Sequence, residues 1–380
     1  MKTKFRQLVW ILMMLLFVVA CGEDGESGDE SPMVNNQEES ESGTDELVEV
    51  DERAILEQIY YDTWGDEWSD NTNWCTDAPL SEWYGVTVDE ESGRVTELSL
   101  SYNNLDGNLD VSGLTKLTTL YCYANDLSTL DVSGCSSLTD LSCFLNDLTF
   151  LDVSALTKLT FLVCSSNKLT TLDVSALTKL TFLNCSSNSL TSLDVSALTE
   201  LTTLWCNDNS LTSLGVSALT NLTDLNCDDN SLTSLDVRAL TNLTTLSCDS
   251  NSLTTLDVST LAKLTTLYCA SNRLTALDVS ALTNLVDLHC GENSLTILDV
   301  STLINLTYLW CNDNSLTTLD VSALTKLDDL RCQYNYFITM FMYTTPSIFY
   351  YNRWGDYDET LYTEPTYMYG YQYPQFIYVQ

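Results

Sequence analysis

Leucine recurs through the middle of this chain on a fixed beat, with Thr, Ser, Asn and Asp filling most of the gaps. From Leu117 the sequence can be written in rows of 21, starting at 117, 138, 159, 180, 201, 222, 243, 264, 285, 306 and 327. A first row of 22 starts at Val95. In the row LTTLYCYANDLSTLDVSGCSS (117–137), Leu117, Leu120 and Cys122 are followed by Asn125, then by Leu127, Leu130 and Val132. Alternation at Leu120 and Cys122 is the period of a strand. The second limb of the row, rich in Thr, Val and Ser, favours extended structure and leaves little room for a helix. One winding alone would expose its apolar stripe on both sides. Stacking hides it, so twelve rows in register predict a solenoid whose windings depend on their neighbours for stability.

The row follows L-x-x-L-x-L-x-x-N-x-L with cysteine in the third leucine place. It resembles the leucine-rich repeat, in particular the 21-residue nested repeats of internalin-like bacterial proteins. The resemblance implies a leucine-rich-repeat solenoid, mostly β, with a parallel sheet on the concave face and short extended or turn segments on the convex face. Twelve strands at about 4.8 Å give a sheet roughly 55 Å long. The asparagine column, Asn125 to Asn335, carries amides able to satisfy backbone groups where the chain turns after each strand.

Eleven of the 14 cysteines form one series, Cys122 to Cys332, in steps of 21. Such spacing reads as a buried column of free thiols acting as small hydrophobes. Disulfides or metal binding within the column are weaker alternatives, since in-register side chains point the same way and burial leaves no entry path. Cys75 and Cys135 lie outside the column, and the sequence leaves their pairing open.

The flanks read differently. Lys2, Lys4 and Arg6 precede an apolar run from Leu8 to Ala20, too short to span a bilayer and the right length for a signal-peptide core. The ending Val18-Val19-Ala20-Cys21 resembles the lipobox of bacterial lipoproteins. It implies cleavage after residues 1–20 and lipid on Cys21, with membrane contact through that anchor alone. Gly22-Glu23-Asp24 resembles the surface-export signal of Bacteroidetes lipoproteins, which points to the outer membrane and outward display. Residues 21–50 are acidic, with no apolar periodicity, and read as a tether with a reach of about 30 Å. Residues 51–94 read as an N-terminal cap. Asp51 can cap a helix carrying Ile55, Leu56, Ile59 and Tyr60 on one face. The stretch with Trp74, Trp83-Tyr84-Gly85-Val86-Thr87 and Gly93-Arg94-Val95 resembles the cap of plant leucine-rich-repeat receptors. There a cysteine usually follows the Gly-Val-Thr step and closes a disulfide; here Val88 stands in that place. Trp64, Trp68, Trp74 and Trp83 are expected in the cap core. The repeats occupy 95–336. Residues 337–380, crowded with Tyr and Phe, read as a β-rich C-terminal cap or as an aromatic platform for sugars.

With 15 Lys plus Arg against 53 Asp plus Glu, the net charge is −38. Phosphate would be repelled, so a nucleic-acid partner is not expected. No nucleophile–base–acid set, phosphate loop or metal motif stands out, and His289 is the single histidine. The chain is read as a binding protein, not an enzyme, and no cofactor is expected.

A binding face follows from the columns that vary while the core does not. The position before the second leucine includes Phe161, Phe182, Asp224 and Tyr308. The position after it includes Tyr121, Trp205, Tyr268, His289, Trp310 and Arg331. The position after the cysteine includes Tyr123, Phe144 and Asp228. Exposed rings on a strand face suit binding. They form an early group from Tyr121 to Phe182, Trp205 alone, and a late group of Tyr268, His289, Tyr308 and Trp310, with acidic residues between. That pattern fits a protein partner with basic and apolar contacts. A glycan ligand and a purely structural surface role are the alternatives, as is lateral packing of the rings as cross-strand pairs. Ten return limbs, Asp110 to Asp320, also carry Asp after Leu, with Gly215 as the exception. Each can accept from the next turn's backbone N–H groups; calcium between windings is the rival account.

Overall fold

The computed structural model describes residues 51–337 and 339–342, and the backbone of 348–350 and 375–378. The lipobox, the acidic tether and most of the C-terminal aromatics, including Trp354 and the Tyr367 to Tyr373 run, lie outside the described residues.

Alternation inside each row from 117 on produces a three-residue strand whose middle leucine faces inward, as in Thr119–Tyr121 with Leu120 fully buried. Stacking the rows yields a fourteen-stranded sheet. Its twelve winding strands, from Val95–Ser99 to Asp329–Arg331, pair in parallel and in register, one row per strand. Val86–Val88 closes the N-terminal edge antiparallel to Val95–Ser99, and Ile348–Tyr350 adds in parallel at the other edge. The chain therefore folds as a leucine-rich-repeat solenoid, mostly β with little helix. The return limbs pair as strands at the two ends only, Asp106–Asp110 with Asp126–Asp131 and Thr318–Asp320 with Thr339–Met342 and Gln375–Tyr378. Elsewhere they are successive turns, such as Leu156 N to Val153 O at 3.0 Å and Leu159 N to Leu156 O at 2.9 Å.

The core is the set of inward columns. Leu117, Leu120, Cys122, Leu127 and Val132, with their equivalents, are buried in winding after winding. Each leucine so buried is worth about 1.5–3 kcal/mol. The thirteen described cysteines are all free. Burial alone pushes the Cys122 thiol up to about 12. Cys135 donates its thiol to Val111 O at 3.1 Å, and Cys75 is half-buried.

The asparagine column is a ladder between windings. Asn146 Nδ2 donates to Cys122 O at 3.0 Å and Cys143 O at 3.1 Å, while its Oδ1 accepts from Leu127 N at 3.0 Å. The residue before each ladder asparagine, from Ala124 to Tyr334, is left-handed, with φ between 49° and 56°. None of these is glycine, which costs each roughly 1 kcal/mol. A second ladder uses the threonine after the first leucine: Thr139 Oγ1 donates to Thr118 O at 3.1 Å, and Thr160 to Thr139 O at 3.2 Å. The return-limb aspartates act locally, as Asp152 does in accepting from Ser154 N at 2.9 Å.

The N-terminal edge is closed by helix α1, Glu52–Asp62, capped by Asp51, whose side chain accepts from Arg53 N and Ala54 N. Leu56 and Ile59 are buried beneath it. Glu52, only 5% accessible, reaches the first winding: its carboxylate accepts from Arg94 Nε and from Val95 N, each at 2.6 Å. Trp68, Trp74 and Trp83 fill the cap core, but Trp64 is 66% exposed, because its left-handed backbone (φ 59°) turns it out of the cluster. Gly85 (φ 73°) lies against the first winding strand, where a Cβ would come within 2.2 Å of Ser99 O.

Candidate functional site

In each strand the residues on either side of the inward leucine face away from the core, and the residue after the cysteine continues that face. The sequence-derived candidates all lie there. Tyr308 is 40% exposed; Tyr121, Tyr123, Phe144, Phe161, Phe182, Trp205, Asp224, Asp228, Tyr268, His289, Trp310 and Arg331 are half-buried. Many of the rings cover one another. Tyr123 and Phe144 stack at 4.4 Å with 8° between planes, and Tyr102 meets Tyr123 edge-on at 5.4 Å. Phe161 and Phe182 stack at 4.7 Å. Cross-strand packing of this kind, weighed as an alternative to binding, is thus part of the face.

Trp205 is not isolated, contrary to the expectation from spacing. Its ring meets Phe182 edge-on at 5.5 Å, and its indole N–H donates to Asp224 Oδ1 at 2.8 Å. Ring contacts across neighbouring columns explain the difference, since single-column spacing does not register them.

The late group is a continuous pile. Tyr268 stacks on His289 at 4.2 Å, His289 on Trp310 at 3.7 Å, and the Arg331 guanidinium lies 3.7 Å from the Trp310 ring centre. Such a cation over an indole is worth about 0.5–2 kcal/mol. Tyr268 Oη donates to Asp287 Oδ2 at 2.7 Å. His289 Nε2 lies 3.1 Å from Asp287 Oδ1, a charge-pair distance without hydrogen-bond alignment. Tyr308 stands in a neighbouring column and has no ring contact in this pile.

Between the groups lies an acidic stretch. Asp228 takes Ser247 Oγ at 2.7 Å and Asp249 N at 2.7 Å; burial outweighs these bonds and pushes its carboxyl up to about 6. Asp249, one winding on, is pushed up to about 7 by burial and by Asp228, against the bond from Ala270 N at 2.6 Å. Asp224 is also raised, by burial. Among the described residues no cluster of metal-ligating side chains is present.

Two positions on this face were not singled out by sequence reasoning. Ser142 Oγ and Asn184 Nδ2 are buried without hydrogen-bond partners. An unmet buried donor or acceptor of this kind costs about 1–3 kcal/mol. The signal was present as small polar residues in the middle column, flanked in neighbouring columns by rings.

The fold and this face define a leucine-rich-repeat scaffold, and comparison with known proteins agrees. The family of leucine-rich repeats (2 copies) matches residues 178–219. The functional domain of InlJ from Listeria monocytogenes, described as including a cysteine ladder, is 42% identical with a TM-score of 0.57. That match covers 65% of this chain and 59% of that one, so the chain spans about three-fifths of the InlJ domain. A leucine-rich-repeat protein of Leptospira interrogans is 27% identical (64% and 74% covered, TM-score 0.55). The Arabidopsis receptor kinase HAESA ectodomain, solved with an IDA peptide hormone, is 23% identical (76% and 53% covered, TM-score 0.61) and is similar in fold. No curated protein sequence matches.

Proposed function

We propose that this chain is a surface-anchored protein-binding or adhesion module that meets its partner with the outward face of the sheet. The observation that supports this reading is the contrast between columns. The inward positions repeat Leu and Cys almost without change, whereas the outward ones carry rings and carboxylates that differ at nearly every winding. On that face Asp140, Asp224, Asp228, Asp249, Asp287 and Asp329 stand against His289 and Arg331. Arg331 itself lies beside Asp329 at 3.1 Å, and His289 Nε2 lies 3.1 Å from Asp287 Oδ1. Charge complementarity therefore favours a partner with a basic surface and apolar anchors. Lipid on Cys21 would hold the chain on the outer membrane, facing outward, with residues 21–50 as the tether.

The test of the face uses the full chain carrying Trp205→Ala together with Trp310→Ala. A protein captured by the wild type and lost from this variant, with circular dichroism at the assay temperature unchanged, supports the reading. Undiminished capture refutes it. For the anchor, Cys21→Ser should abolish incorporation of an alkynyl fatty acid and release the chain from the membrane fraction. Continued labelling would overturn the lipoprotein reading.

A further inference from the structure

We infer that copies of this chain pack side by side in parallel, the lysine-bearing flank of one solenoid against the acidic flank of the next. Each winding crosses the sheet from one flank to the other. The residue just before a row's first leucine and the left-handed residue after the strand therefore lie on opposite sides. Five of the six described lysines, Lys116, Lys158, Lys179, Lys263 and Lys326, occupy the first position, and all five are exposed. Asp208, Asp229, Glu292 and Asp313 occupy the second and are exposed too. Both flanks lie apart from the outward face of the proposed binding role, so the inference goes beyond that reading.

Acids outnumber bases in this chain, and several cations lie against carboxylates, as Lys168 does with Asp147 at 2.8 Å and Arg238 with Asp236 at 2.9 Å. None of the five flank lysines has a carboxylate partner among the described residues. Lys263 and Lys326 instead donate along the flank to Asn242 Oδ1 and Asn305 Oδ1, each at 2.7 Å. Those amides are fixed in turn, Asn242 Nδ2 donating to Thr220 O at 2.9 Å and Asn305 Nδ2 to Thr283 O at 3.1 Å. On the other flank Glu292 accepts from Ser271 Oγ at 2.9 Å and Asp313 from Asn312 Nδ2 at 2.8 Å. None of the four acids there is ion-paired among the described residues. Cations and anions without counter-charges thus stand on opposite flanks, held by neutral neighbours.

The intervals on the two flanks match. Lys158, Lys179 and Lys263 are separated by one and then four windings, and so are Asp208, Asp229 and Asp313. A second copy displaced by two windings, about 10 Å, therefore sets Asp208, Asp229 and Asp313 opposite Lys158, Lys179 and Lys263 of the first. Glu200, the one acid in the lysine column, then falls opposite Ser250, so no acid in these columns meets an acid. Like flanks repel, which rules out a closed pair of equivalent surfaces and gives an open row. Every copy runs in the same direction, and the outward faces of the sheets stay uncovered. The net charge of −38 opposes the row at long range. At about 0.15 M salt, where charges are screened beyond about 8 Å, the facing flanks decide the sign.

The experiment follows sedimentation of the full chain against its own concentration at three salt levels, with carbodiimide cross-linking of mixed unlabelled and nitrogen-15-labelled chains. The average mass is expected to rise with concentration most steeply near about 0.15 M salt. The rise should be weaker in about 1 M salt, where charges are screened beyond about 3 Å, and in about 0.01 M salt, where whole-chain repulsion reaches about 30 Å. Mixed-isotope links should join Lys158 to Asp208, Lys179 to Asp229 and Lys263 to Asp313. Lys158→Glu with Lys179→Glu should raise the concentration for half-association about tenfold. Adding Asp208→Lys and Asp229→Lys to that same chain should restore it. All four positions are exposed, so circular dichroism should not change. A mass independent of concentration at every salt level overturns the inference. So do mixed-isotope links at other sites only, or a quadruple variant that associates no better than the double one. Trp205 and Trp310 are untouched in these variants, so loss of the row and loss of partner capture are read separately.

Discussion

The indole N–H of Trp205 donates to Asp224 Oδ1 at 2.8 Å, from one winding to the next. Burial raises the Asp224 carboxyl, and the indole opposes that rise. Trp205→Phe keeps a ring beside Phe182 and removes the donor. The Asp224 pKa is then expected to climb, as read by carboxyl NMR titration. Loss of this hydrogen bond should lower stability by about 1–2 kcal/mol. An unmoved titration would remove the indole from the account of Asp224.

Asp228 and Asp249 set a second pH dependence. Their carboxyls are pushed up to about 6 and about 7, mainly by burial. Between about pH 4 and pH 7 the folded chain holds protons that the unfolded chain has released. Stability contributed by these two groups therefore falls as pH rises through that window and is level above it. Asp249→Asn keeps an acceptor for Ala270 N and cannot ionise. It should gain roughly 1–3 kcal/mol over wild type at pH 8 and nothing at pH 4, measured by urea denaturation.

The turn aspartates work in the opposite sense. Hydrogen bonds from Ser154, Ser175 and Ser196 hold Asp152, Asp173 and Asp194 below the usual range. Their contribution is present above the unfolded pKa and is lost as pH falls through the lowered folded values. Thermal midpoints scanned against pH should thus pass through a maximum near about pH 4, where the turn aspartates have ionised and the two raised carboxyls still hold their protons. A profile rising steadily to pH 8 would contradict both assignments.

Asn188 bonds to two windings through Nδ2 and accepts from Leu169 N at 3.0 Å through Oδ1. Asn188→Ala leaves the Leu169 N–H unmet in the middle of the array and takes one of two amide donors from each of the Cys164 and Cys185 carbonyls. A loss of about 1–3 kcal/mol is expected in urea melts. Because neighbouring windings share the bonds, amide exchange should quicken at Leu169 as well as at the mutated winding.

The cysteine column should be silent to thiol reagents in the native chain. Burial raises the thiols, Cys122 and Cys185 to about 12, and attack requires the thiolate. A short iodoacetamide pulse read by mass spectrometry should modify Cys75 first and the column only in denaturant. Native labelling of Cys227 or Cys248 would show that the array opens.

The windings, the asparagine ladder and the Asp51 cap were legible in the sequence because each rests on a side chain repeated at one spacing or on a local capping pattern. The same holds for the return-limb aspartates, whose acceptor role is local to each turn. What escaped depends on contacts between distant or adjoining positions. Glu52 reads as an ordinary first-turn acid, and only the fold brings Val95 N to it. The left-handed residues carry no glycine to mark them, since Ala124, Leu145 and Glu292 are held there by their neighbours' bonds. On the outward face the columns were readable, but their coupling was not: Trp205 touches Phe182 across columns, and nothing in their own column marks Ser142 and Asn184 as buried.

The rungs of the asparagine ladder join like groups across neighbouring windings, so the interior windings are interchangeable parts. Excision of residues 243–263 would rejoin matching donors and acceptors and shorten the sheet by one strand, about 4.8 Å. Recombination between such near-identical segments could therefore alter the spacing between the early and late ring groups while leaving every inward contact of the same kind. Partner choice would then be tuned by counting windings as well as by changing residues.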